Sequence, residues 1–287
     1  MKAVLVGFAA MVEGRTLGRT GVAVEGVSLG GEGILRTHGR EREAVVMIHE
    51  ALSSGVRYCD TAPAYDDSQE YYGAAFGSMQ GARDRVFLAS KTHERRKIPA
   101  LALLEGSLRA LGTDHVDLWQ MHDLRSKADV DAIFAPNGAI EAAEAAKKAG
   151  KIRFVGLTGH HDPDILVSAM ERYPFDSVLL PINAADPARM PFVTTVIPVA
   201  RKLGMGVVGM KVMAAGRLPA EGAATAEECI RYAMAHADTL IIGCSSAAEV
   251  RENLRVGRTA APMTVEEQRA LEARIAKKAA RYSYFKA

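Results

Sequence analysis

From about residue 24 to residue 257, short apolar runs rich in Val, Ile and Leu alternate with longer segments whose apolar residues recur at helical spacing. The short runs lie at 25–29, 56–60, 85–91, 116–122, 152–158, 177–181, 206–211 and 239–243. Their continuous apolar character predicts strands buried on both faces, as in a parallel sheet. Between them, segments 41–54, 100–111, 140–149, 191–203 and 225–236 predict amphipathic helices. Strand and helix in strict alternation is the pattern of repeated βα units.

Eight such units are what a closed (β/α)8 barrel requires, and 287 residues suffice for one. An open doubly wound sheet would satisfy the same pattern. It would also need a glycine fingerprint of the form G-x-G-x-x-G after its first strand, which Gly30, Gly31, Glu32 and Gly33 do not supply. We therefore expect an α/β fold, a (β/α)8 TIM barrel. Residues 15–22, with a Gly-containing turn, predict a short N-terminal hairpin. Thr264, followed three residues later by Glu267, is a capping box that predicts an extra C-terminal helix over 264–280. No shift of composition marks a linker, so 1–287 read as a single domain. Residues 1–11 read as an N-terminal extension, with Met11 an alternative start to Met1.

Composition narrows the function classes. Thirty-six basic and 34 acidic side chains, a formal net charge of +2, are spread along the chain and leave no footprint for nucleic acid. The densest basic cluster, Arg95, Arg96 and Lys97, is brief and reads as a solvated loop. No apolar stretch is long enough to span a bilayer, and 1–11 lack a convincing cleavage site. Three cysteines without C-x-x-C spacing argue against a disulfide framework, a zinc ribbon or an iron–sulfur cluster. A cytoplasmic location, with no partner protein visible, is the expectation.

Candidate chemistry sits where a parallel barrel gathers it, at the carboxyl ends of the strands. Asp60 ends the second predicted strand, Tyr65 follows in the same loop, Lys91 ends the third, and His122 ends the fourth. Singly, each has an ordinary structural reading. Together they form a coherent set for moving a proton at a carbonyl oxygen. A tyrosine with an ordinary pKa near 10 is a poor donor at neutral pH unless a nearby cation eases phenolate formation. Lys91 can supply the cation, Asp60 can hold it, and His122 can orient the oxygen.

These residues carry a resemblance to the aldo-keto reductase family. The matching stretches run from Asp60 through Thr61, Ala62, Pro63 and Ala64 to Tyr65, over Ser90-Lys91-Thr92, from Asp117 to His122, and from Gly150 to Thr158. The opening from Leu17 to Gly21 and the ending from Ile241 to Gly243 and Glu252 to Leu254 also match. The resemblance implies a tetrad of Asp60, Tyr65, Lys91 and His122, and an oxidoreductase acting on a small carbonyl or alcohol with a nicotinamide cofactor bound without a Rossmann fold. It places the adenosine-phosphate cradle at Gly243, Cys244, Ser245 and Ser246, with Asn253 against adenine. Elsewhere the chain departs from the family pattern. Thr158-Gly159, followed by His160 and His161, stands where a Ser-Asn pair grips the carboxamide. Leu179, with Asn183 downstream, replaces a glutamine. Met210, beside Lys211, replaces a stacking aromatic, and Glu249 replaces the arginine for a 2′-phosphate, with Arg251 close by. Family habit favours NADP(H) over NAD(H). The branch with a Gly-His-His step and a Met-Lys-Val step fits best.

His160, His161 and Asp162 could suggest a metal centre. Adjacent histidines usually diverge and Asp162 before Pro163 reads as a helix N-cap, so polar contacts to cofactor or substrate are expected and no metal. Two alternatives remain open from the sequence. One is a barrel lyase or aldolase with Lys91 or Lys211 as a Schiff base. The other is a cofactor-binding regulatory subunit similar to the potassium-channel β subunits.

Overall fold

The computed structural model describes residues 15–286. The proposed extension and the choice of start lie outside that range. Two short strands, β1 (Arg15–Thr16) and β2 (Ala23–Val24), pair antiparallel as the expected hairpin. Eight parallel strands then close into a barrel: β3 (Val27–Gly33), β4 (Tyr58–Asp60), β5 (Phe87–Thr92), β6 (Val116–Met121), β7 (Ile152–Thr158), β8 (Ser177–Pro181), β9 (Gly206–Met210) and β10 (Thr239–Cys244), with β10 returning to pair with β3. Helices such as Glu41–Ser53, Lys97–Leu111, Ala139–Lys148, Phe192–Lys202 and Ala226–Met234 form the outer layer. The capping boxes at Thr225/Glu228 and Thr264/Glu267 are both formed.

Side chains alternate between two cores because successive strand residues face opposite sides of the sheet. In β6, Leu118 joins the barrel interior with Leu179 and Val208, whereas its neighbour Trp119 packs outward among the helices and is fully buried. The hairpin closes one end of the interior. Leu17 is completely buried there, and Gly18, at φ 46°, lies so close that a Cβ would stand 2.1 Å from the amide nitrogen of Gly206, the first residue of β9. With the amino end plugged, the carboxyl end is the open face. The tail returns toward it: the buried ammonium of Lys286 donates to Asp186 Oδ1 at 2.5 Å and to the carbonyls of Asp186, Arg189 and Met190.

The first barrel strand differs from the sequence reading, which ended it at Leu29. It continues through Gly30, Gly31 and Glu32 to Gly33. Glycine weakens a strand, but here its missing Cβ is a packing requirement. A Cβ on Gly30 would press on the backbone of β10, and one on Gly31 would stand 2.6 Å from the Tyr65 ring.

Candidate active site

Asp60 is the last residue of β4 and is fully buried. Lys91 is the next-to-last residue of β5 and is 1% exposed. Their strands are neighbours in register, and Lys91 Nζ lies 2.6 Å from Asp60 Oδ2 and 3.0 Å from the Thr61 carbonyl. Burial works against the ammonium, but Asp60 and Tyr65 outweigh it and hold the Lys91 pKa above its ordinary value. Burial pushes the Asp60 carboxyl up, with Lys91 and Gln120 pulling it back.

Tyr65 follows β4 in the loop and lies with its ring centroid 4.5 Å from Lys91 Nζ and 5.8 Å from that of His122, edge to face at 84°. Burial raises the phenol pKa, and the Lys91 charge opposes that rise, so Tyr65 holds its proton at neutral pH with a cation ready to stabilise its loss. His122 follows β6 directly. Its burial, with the positive charge of Lys91 next, depresses its pKa to about 2 and keeps the ring neutral. The four predicted residues therefore converge on one spot at the carboxyl end of the barrel.

Three further residues support that spot. Gly31 makes room for the Tyr65 ring, as above. Gln120 is buried at an inward position of β6 and approaches Asp60 Oδ1 at 3.4 Å. Its place two residues after Leu118 and two before His122 was a readable signal. Arg95 corrects the solvated-loop reading of the basic cluster. It pairs with Asp129 at 2.9 Å and donates to the carbonyls of His122 at 2.9 Å and Asp123 at 3.0 Å, fixing the backbone that presents His122. Arg95 is drawn in because the turn after β6 leaves two carbonyls without strand partners.

The residues expected to hold cofactor fall into two groups. Thr158 ends β7, and Gly159 packs so tightly that a Cβ would meet the Leu124 carbonyl and the Leu166 side chain. His160 and His161 do not diverge: their rings lie 4.3 Å apart at 34°, beside Asp123. Asp162 caps the helix Pro163–Met170 as expected. Burial and then the Lys211 charge depress the His160 pKa to about 4. Met210 ends β9. Lys211, at φ 53°, places its ammonium 5.1 Å from the Phe285 ring centroid and makes no ion pair among the described residues. An unpaired, half-buried cation at the mouth suits an anionic ligand. Asn183, by contrast, is spent on backbone, donating to the Lys211 carbonyl and accepting from the Ala185 amide.

The second group is the loop after β10. Gly243 packs against Glu32, and Asn253 donates to Cys244 Sγ from inside the fold at 3.4 Å. Ser246 caps the helix Ala247–Thr259. Glu249 turns back to accept from the Ser245 amide at 2.8 Å, and Arg251 pairs with Glu50 at 2.9 Å. The loop thus presents a carboxylate where the family pattern has a cation.

The description "Aldo/keto reductase family" fits residues 27–225 of this chain. The chain is 30% identical over 228 residues to the uncharacterized oxidoreductase YrpG of Bacillus subtilis, covering 70% of this chain and 67% of that one. It is 24% identical over 282 residues to the L-galactose dehydrogenase of Arabidopsis thaliana, covering 85% and 87%. Its fold is similar to that of an aldo-keto reductase from Bacillus halodurans in its holo form, with a TM-score of 0.74 and 24% identity over 91% of this chain and 96% of that one. A Klebsiella pneumoniae aldo-keto reductase solved with NADPH also gives a TM-score of 0.74, at 22% identity over 92% and 95%. A family match over most of the barrel, on strands that end in this cluster, makes the chain a member of the aldo/keto reductase family and an NAD(P)H-dependent oxidoreductase.

Proposed function

We propose that Tyr65 gives and takes the proton that accompanies hydride transfer, that Lys91 and Asp60 set its acidity, and that His122 orients the substrate oxygen. The observation that carries this reading is the buried Lys91 ammonium, 2.6 Å from Asp60 Oδ2 and 4.5 Å from the Tyr65 ring centroid. The nicotinamide, when bound, supplies or accepts the hydride. As a carbonyl is reduced, negative charge grows on its oxygen, and the Tyr65 hydroxyl delivers its proton there. The phenolate left behind is stabilised by the adjacent ammonium, and alcohol oxidation runs the same path in reverse. Because His122 is neutral, its N–H donates to the oxygen without adding a charge that would compete with Lys91. Bringing these groups together out of water strengthens each interaction.

Tyr65→Phe tests this directly. Loss of a general acid lowers turnover about 10²–10⁴-fold, and the cofactor dissociation constant should hardly move, since the variant removes only a hydroxyl. Near-normal turnover would exclude Tyr65 as the acid.

The nicotinamide end is assigned to Thr158, Gly159, His160, Met210 and Lys211, and the adenosine end to Gly243, Cys244, Ser245, Glu249 and Asn253. Asn183 acts by bracing Lys211. Family habit supports NADP(H) over NAD(H), and we expect the margin to be small because Glu249 faces the loop while Arg251 is held by Glu50. The substrate class is a small carbonyl or alcohol. A panel of aldehydes, ketones and sugars with NADPH and NADH, followed at the nicotinamide absorbance, identifies it.

A further inference from the structure

Asp123, the residue after His122, has a positive φ of 53°, uncommon for a side-chain-bearing residue. The turn aims its carboxylate at the Gly-His-His step. Oδ2 is held by Arg125 at 2.6 Å. Oδ1 points the other way, 3.2 Å from His160 Nδ1 and 3.5 Å from His161 Nε2. Beyond this ion-pair approach, Asp123 Oδ1 and His161 Nε2 are both shielded from solvent and meet no hydrogen-bond partner of good geometry among the described residues. Buried polar atoms in native proteins are nearly always satisfied, so two orphans facing each other need an explanation.

Both imidazoles stand at ion-pair distance from the one carboxylate oxygen, and one candidate ligand atom from each of the three residues gathers in a single small volume. Convergence is what a metal ion demands. In tetrahedral coordination with bonds of about 2.0–2.1 Å, donor atoms stand about 3.3 Å apart along each edge. The two distances from Oδ1 bracket that spacing, and all three donor atoms lie within 4.8 Å of one another. We propose that Asp123, His160 and His161 form a binding site for a first-row divalent cation of the zinc class. Two imidazoles and a carboxylate suit zinc or cobalt better than the hard cations, which prefer all-oxygen sets.

Three protein donors leave a fourth position for water or a ligand, and the three side chains are about one-fifth exposed. The nearby charges of Arg125 and Lys211 oppose a cation and weaken its binding. His160 is also assigned to the nicotinamide end. If that assignment is right, an occupying cation and the dinucleotide exclude each other, which would make the site a metal-dependent brake on the reductase. This consequence alone rests on the proposed function.

The test is a titration of the metal-free protein with Co2+, whose visible bands are intense in low-coordinate N/O sites and weak in six-coordinate ones. One equivalent should bind with intense bands. His161→Gln and Asp123→Asn, on separate segments, should each weaken binding at least tenfold while keeping the native circular dichroism, and the control His115→Ala, just before β6, should change nothing. Weak six-coordinate bands only, no binding by the unaltered protein, or unchanged binding in both variants would overturn the site. Repeating the titration with saturating NADPH separates the two ideas. A higher apparent dissociation constant for Co2+ supports the brake, and an unchanged one removes His160 from the nicotinamide end while the metal site stands.

Discussion

Replacing Lys91 by methionine would strand the Asp60 carboxylate in the barrel with its main counter-charge gone. Breaking a buried ion pair in this way costs about 3–5 kcal/mol. Burial already pushes the Asp60 pKa up, and without Lys91 nothing but Gln120 opposes the rise. The folded variant then binds a proton that the unfolded chain has released, so its stability should fall as pH rises above about 4, the ordinary aspartate value. Chemical denaturation of Lys91→Met across the acid range should show this slope, and adding Asp60→Asn should flatten it. Turnover should collapse in both, since the phenolate has lost its cation. A stable, active Lys91→Met with a flat profile would leave the lysine with neither the ion-pairing nor the catalytic role. Gly31 makes a complementary case. A methyl there would stand 2.6 Å from the Tyr65 ring, so Gly31→Ala should displace the phenol and cut kcat by about 10²-fold, as small misplacements of catalytic groups do, for a stability loss of about 1–3 kcal/mol. The tetrad was legible in the sequence because its members end successive strands. Gly31 and Asp123 were not, because their importance lies in what a neighbouring strand or loop brings within reach.

Among the elements, the loop after β10 and the helix Ala247–Thr259 carry the proposed site for the cofactor's adenosine end. Glu249 has two effects there: its charge repels an anion, and its Oε2 accepts from the Ser245 amide, one of the donors a phosphate would use. Glu249→Arg should therefore strengthen NADPH relative to NADH by about tenfold, in keeping with one charge-assisted contact at an exposed rim. Glu249→Gln, which keeps the acceptor and drops the charge, should move the ratio less. Calorimetric titration with both cofactors checks this, and identical ratios in all three proteins would mean that Glu249 does not face the 2′ position. The periodicity gave the ends of β7 and β8 without error, since apolar runs there stop at clear turns. It ended β3 too early, because hydrophobicity cannot distinguish a glycine that breaks a strand from one that lets a neighbour approach. The Arg95 cluster was misread for a related reason: charge density does not reveal which arginine turns inward to find carbonyls.

At the scale of the whole molecule, the barrel is closed at one end by the hairpin and crossed at the other by a tail fastened through Lys286. The eightfold alternation made this architecture legible, whereas the tail attachment depends on a contact spanning a hundred residues that no local pattern announces. The same layering gives the protein a built-in optical reporter. Trp119 is the sole tryptophan, flanked in the sheet by Ser90 and Val155 and sealed under the helices, with its indole N–H lacking a hydrogen-bond partner among the described residues. An indole in so apolar a place should emit at the blue end of its range and resist quenching by acrylamide. It is insulated from events at the mouth, so its environment should shift only when sheet and helices separate. In a urea titration, quencher access should rise together with the loss of far-ultraviolet circular dichroism, as a single cooperative transition requires. Quenching that precedes that loss would reveal an outer helical layer that lifts from the barrel before the strands part.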